Sequence, residues 1–161
     1  MEAAELRFTY KTPYPYSTHQ LPTVSTPLEK ILVIVDDEEP MLDQLKQMLE
    51  LRLNCTVQTF TKAQDAIIAL PKLNVGVVVT DYYMPYMNGV EFIQKARVVS
   101  PGTPFIVITG HGPAFVSKAI PNLPELKCFI NKPVRWRTLA LEIQRHWAGT
   151  PKPEIREDTP A

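Results

Sequence analysis

Apolar positions along the chain fall into two kinds of run that alternate. Residues 31–35, ILVIV, are unbroken and mostly β-branched, the pattern of a strand covered on both faces. This run ends in Asp36-Asp37. Pro40 stands where a first helical turn tolerates proline, and Leu42, Leu45, Met48 and Leu49 follow at helical spacing. The same sequence of events then repeats. TVQTF at 56–60 predicts a second strand, and Ala63, Ala66, Ile67 and Leu70 line a second helix that Pro71 closes. VGVVVT at 75–80 is a third strand, after which Asn88-Gly89 turns into a helix carrying Phe92, Ile93 and Ala96. FIVIT at 105–109 and KCFI at 127–130 are the fourth and fifth strands, and a last helix carries Trp136, Leu139, Ala140, Ile143 and Trp147. Residues 114–120 have room for two helical turns, but Pro121 and Pro124 remove donors and clash with continuation. The helix between strands four and five is therefore expected to be short or irregular.

Strands alternating with helices predict an α/β fold, with a five-stranded parallel sheet covered by helices on both faces. In open sheets of this doubly wound kind, ligands gather at the carboxyl ends of the strands, where the strand order switches.

Composition refines the outline. The chain has 161 residues, about the length of one domain. Proline crowds both ends, so the reading divides the chain into an arm rich in proline and aromatics at 1–28, a folded domain at 29–148, and a disordered tail at 149–161. Lys+Arg and Asp+Glu both total 17, which gives no support to nucleic-acid binding through a basic surface. No apolar run is long enough to span a membrane, and MEAAELRFTYK lacks the pattern of a signal peptide, so a cytoplasmic location is expected. Cys55 and Cys128 have neither CxxC nor metal spacing and are expected to be reduced, partly buried thiols.

The strand ends carry the chemistry. The first strand delivers Asp36 and Asp37, the third Asp81, the fourth Thr109 and the fifth Lys132. On one sheet edge these make three carboxylates, a hydroxyl and an ammonium. The carboxylates repel one another, and a hard divalent cation relieves that repulsion. Mg²⁺ is the expected cofactor, with Lys132 balancing the remaining charge. A phosphoryl group arriving there would meet cations for its oxygens and a carboxylate able to attack phosphorus.

VDDEEP, VVVTDYYMPYMNG, FIVITGHG and INKPV, in that order and spacing, resemble the receiver domain of two-component response regulators. The resemblance covers about residues 29–147 and implies a flavodoxin-like fold. It also implies roles. Asp81 matches the phosphoacceptor and, with Thr109 and Lys132, the reacting set. Asp37 matches a direct metal ligand, Asp36 a ligand acting through water, and the backbone carbonyl of Tyr83 a further ligand. Thr109 and Phe129 match the hydroxyl and aromatic that switch together. Pro85 and Gly89 match residues shaping the loop after Asp81, and Pro133 is expected to follow a cis bond that aims Lys132 inward. Tyr83 and His111, each two places beyond a strand-end residue, are expected to flank access to the phosphoryl group.

The implied function is that of a stand-alone bacterial phosphoacceptor in a phosphorelay. A histidine kinase or histidine phosphotransfer protein would supply the phosphate, and a downstream protein would be the target. The only reactions implied are its own Mg²⁺-dependent phosphorylation and dephosphorylation. No nucleic-acid or membrane partner is expected, and no output domain is seen after Trp147. Phe8, Tyr10, Tyr14 and Tyr16 suit either a sticky tail or an arm that docks on its own domain, on a second copy as a homodimer, or on a partner. Two alternatives stand beside this reading. One is an interaction module of the same fold that is not phosphorylated in use. The other is a phosphatase of the haloacid dehalogenase type, which wants a second acid where Tyr83 stands.

Overall fold

The computed structural model describes residues 29–110 and 122–156. His111, the expected short helix at 114–120, and the arm at 1–28 lie outside the described residues. Five strands are present: β1 Ile31–Val35, β2 Val57–Phe60, β3 Val75–Asp81, β4 Phe105–Thr109 and β5 Leu126–Asn131. They alternate with α1 Glu39–Leu53, α2 Ala63–Ala69, α3 Gly89–Val99 and α4 Trp136–His146. All strand pairs are parallel, in the order β2-β1-β3-β4-β5. That is the doubly wound order, with its switch point between β1 and β3.

Strand side chains alternate between faces, and the two faces build two cores. Leu32, Ile34, Val77, Val79, Ile106 and Ile108 pack under α1 and α4. Val33, Val35, Val78, Phe105 and Val107 pack under α2 and α3, where Phe92 meets Phe105 edge to face at 5.8 Å. Every residue of β3 is buried, which is why valine dominates its sequence.

Local chemistry fixes the helix ends. Asn88 Oδ1 accepts from the N–H groups of Val90 and Glu91 at 3.0 Å each, while Glu91 Oε2 accepts from the Asn88 N–H at 2.9 Å. This capping box starts α3 immediately after the loop that follows Asp81. Asn54 closes α1 in the left-handed conformation, φ 46°. Pro71 does not end α2 outright. It sits in a 3₁₀ turn, Leu70–Lys72, that continues from the helix, since proline is tolerated in a first turn.

The expected disorder from 149 onward does not hold for residues 149–156. The Arg156 N–H donates to the Arg52 carbonyl at 2.7 Å, which ties this segment to the last turn of α1. Its guanidinium reaches Asn54 Oδ1 at 2.6 Å, Gln144 Nε2 donates to the Pro153 carbonyl at 3.0 Å, and Ile155 packs on the α1/α4 core. Trp147 lies just past α4, buried against Gly76 of β3. A Cβ at Gly76 would come within 2.4 Å of the indole, so glycine is what lets the ring lie on the sheet.

Candidate functional site

Parallel strands put all their carboxyl ends on one edge, and the residues that follow β1, β3, β4 and β5 meet there. Asp36 and Asp81 are buried, Asp37 is exposed, and oxygens from all three lie within 4.8 Å of one another. The carboxylates are held by backbone. The Glu38 N–H donates to Asp36 Oδ1 at 2.9 Å, and the Tyr83 N–H donates to Asp81 Oδ2 at 3.0 Å. Asp36 therefore braces its own loop rather than capping α1, whose first residue is Glu39.

Lys132 enters from the turn after β5. Its N–H donates to the Thr109 carbonyl at 2.8 Å, which ties that turn to the end of β4. The Lys132–Pro133 peptide is cis, as the resemblance implies. Lys132 Nζ stands 2.9 Å from Asp81 Oδ1 and 3.7 Å from Asp36 Oδ2, and its side chain is 24% exposed. It also reaches Glu38 Oε1 at 4.0 Å. Glu38 was missed in the sequence reading, although the acidic run DDEE carried the signal.

The electrostatics are those of a site with more acid than base. Burial pushes the Asp36 carboxyl above its ordinary range, against the pull of the Glu38 N–H and Lys132, and the charge of Asp81 adds to the rise. Burial alone would push Lys132 down, but its hydrogen bond with Asp81 and the charges of Asp36 and Asp81 outweigh this, and its pKa is raised. Three oxygen donors in close reach of one another, short of positive charge, fit a hard divalent cation.

Thr109 is fully buried at the end of β4. Phe129 is half-buried and packs on the α2/α3 core. In register, Asp81 lies beside Ile108, and Thr109 beside Asn131. The loop after Asp81 is shaped by close approach. The Gly89 N–H donates to the Tyr82 carbonyl at 2.8 Å, and a Cβ at Gly89 would lie 2.6 Å from the Asp81 carbonyl oxygen. Pro85 is exposed, and its neighbour Tyr86 takes φ 70°. Tyr83 is 47% exposed, its ring meeting Tyr82 edge on at 4.7 Å.

Comparison with known proteins places the chain in a family. The model of the response regulator receiver domain matches residues 32–144, and the chain belongs to that family. Among curated proteins it is similar to the transcriptional regulatory protein FixJ of Rhizobium meliloti, 40% identical over 79 residues, covering 49% of this chain and 38% of that protein. It is also similar to the transcriptional regulatory protein FlgR of Helicobacter pylori, 32% identical over 115 residues, covering 71% of this chain and 29% of that one. The chain spans only 17% to 39% of the length of DctD and the two FixJ proteins it matches. Among solved structures, a CheY-like receiver domain protein from Methanospirillum hungatei is 28% identical with a TM-score of 0.62, covering 73% of this chain and 92% of that one. A structure described as adenylate cyclase from Rhodopirellula baltica is also 28% identical, with a TM-score of 0.67 over 74% and 87% of the two chains. No helix among the described residues is long and apolar enough to cross a membrane.

Proposed function

We propose that this receiver domain is phosphorylated on Asp81. The observation that carries the reading is the arrangement around that carboxylate: Lys132 Nζ at 2.9 Å, and the oxygens of Asp36 and Asp37 within 4.8 Å. An Asp81 oxygen attacks phosphorus, the donor's bond to phosphorus breaks, and the donor leaves with that electron pair. Asp37, Asp81 and the Tyr83 carbonyl, with Asp36 acting through water, would hold a Mg²⁺ ion, which would supply positive charge to the phosphoryl oxygens. Lys132 pairs with the phosphoryl oxygens. The Thr109 hydroxyl then turns to the bound phosphoryl group, and Phe129 follows. A histidine kinase or phosphotransfer protein is the donor, and a protein target reads the altered surface.

Acetyl phosphate with Mg²⁺, followed by intact mass, tests this. Wild type gains one phosphoryl mass and Asp81→Asn gains none. A wild-type chain that stays unlabelled while folded would leave the non-phosphorylated interaction module as the better reading. Labelling of Asp81→Asn would move the site elsewhere.

A further inference from the structure

Away from the strand-end pocket, β5 and α4 bring together three side chains of a different character. Cys128 lies on β5, while Glu142 and His146 sit four residues apart on the α4 face that looks at that strand. A donor atom from each lies within 4.8 Å of the others, and all three side chains are half-buried. The β5 strand is the last in the sheet order, so the cluster stands at the sheet edge, beside a groove of about 330 Å³ lined in part by Cys128, Arg135, Thr138 and Glu142.

We propose that Cys128, Glu142 and His146 bind a thiophilic divalent cation, Zn²⁺ above all, and that the ion pins α4 to β5. A thiolate, an imidazole and a carboxylate are three of the donors zinc takes, and three protein ligands leave a fourth position for water. With Zn–S near 2.3 Å and Zn–N near 2.05 Å, tetrahedral geometry sets sulfur and nitrogen about 3.6 Å apart. The present spread closes to that with rotamer adjustment on one helix. Part of the geometry is already in place: His146 Nε2 and Glu142 Oε2 are 3.3 Å apart. The other carboxylate oxygen, Oε1, is taken by the Arg145 guanidinium, which fixes the orientation of the ligand in the way outer-sphere partners do.

Burial, and then Glu142 through its charge and a hydrogen bond, push the Cys128 thiol up to about 12. A dication reverses the sign of that environment, because the carboxylate that opposes the thiolate becomes its fellow ligand. On binding, the S–H bond breaks, a sulfur–metal bond forms, and the proton passes to solvent.

The test uses the full chain with saturating Mg²⁺, which occupies hard oxygen sites. Zn²⁺ is titrated by calorimetry, and Co²⁺ is added separately for its thiolate charge-transfer absorption. One ion per chain, a charge-transfer band, and a rise in Tm of about 7 °C at a hundredfold excess over Kd are expected. Cys128→Ser abolishes the band, and His146→Gln weakens Zn²⁺ binding by about a hundredfold. Cys55→Ser, which changes the chain's other cysteine, keeps both properties. Absence of the band in wild type, its survival in Cys128→Ser, or unchanged Zn²⁺ affinity in His146→Gln overturns the proposal. If Cys128→Ser does not fold, the half-buried His146→Gln decides alone.

Discussion

Gly89→Ala is the sharpest probe of how the fold aims Asp81. The added methyl group would lie 2.6 Å from the Asp81 carbonyl oxygen and 3.2 Å from Tyr82 Cα, where ordinary contact begins at 3.4 Å. Both obstacles are backbone, so no side chain can swing aside, and the loop must give by most of an ångström. Overpacking of this kind costs about 1–3 kcal/mol. Replacing glycine returns part of that by restricting the unfolded chain, about 0.4–1 kcal/mol. The net loss is about 1–2 kcal/mol. A domain with only about 5 kcal/mol of stability would keep about 99% of its molecules folded after losing 2 kcal/mol. Unfolding therefore cannot account for a large fall in phosphorylation, but displacement can: about 1 Å at a reacting group costs up to about a hundredfold in rate. We expect Gly89→Ala to take phosphate from acetyl phosphate at least about tenfold more slowly than wild type.

Asn88→Ala is the matched control. It removes the capping box of α3, at about 1 kcal/mol, without placing any atom near Asp81. The two variants should therefore match in denaturant midpoint and differ in labelling rate, followed by intact mass over time. If Gly89→Ala labels as fast as Asn88→Ala at similar stability, close approach at Gly89 is not what holds Asp81 in place.

Two further outcomes are expected. Tyr83→Asn should speed loss of the acyl phosphate by about tenfold, or about 1.4 kcal/mol of barrier, if the Tyr83 ring keeps the attacking water away. Decay of purified phosphoprotein in Mg²⁺ measures this; equal or slower decay refutes shielding, and a collapse of decay in His111→Ala instead assigns water orientation to that residue. Ending the chain after Gly149 should cost about 2 kcal/mol, from the buried part of Ile155 and the Arg156 bonds to α1, and lower Tm by about 5 °C. Phosphorylation should not change, and a truncated chain as stable as the full one would mean that residues 150–156 contribute nothing to the fold.

Much of this was readable because a parallel sheet obeys simple rules. Buried strands write themselves as β-branched runs, and every such run that ended in a polar residue here pointed that residue at the same edge. Asp36, Asp81, Thr109 and Lys132 could thus be placed before any distance was known. What escaped depends on contacts between elements that no local pattern records. GTPKPEIRE looks disordered by composition, yet its Arg156 bonds the Arg52 carbonyl at the end of α1. Glu142 and His146 show helical i,i+4 spacing, but their association with Cys128 depends on how α4 lies against β5. Pro71 reads as a helix stop, whereas a 3₁₀ turn accommodates it. Thr56 belongs to the predicted second strand but falls one residue before its observed start.

The charges in the pocket bear on why the proposed reaction would need a metal as well as a lysine. Lys132 carries one positive charge and faces Asp36, Asp81 and Glu38 together. Asp37 adds a further carboxylate to the cluster. A phosphodonor brings more negative charge to this edge, and Asp81 must attack while negative itself. One ammonium, already shared among three carboxylates, cannot also neutralise the incoming oxygens. The raised pKa of Asp36 reflects the same shortage, since burial outweighs the help that its backbone donor and Lys132 give. A dication held by Asp36, Asp37 and Asp81 would relieve the repulsion among the acids and would leave Lys132 to meet the phosphoryl group.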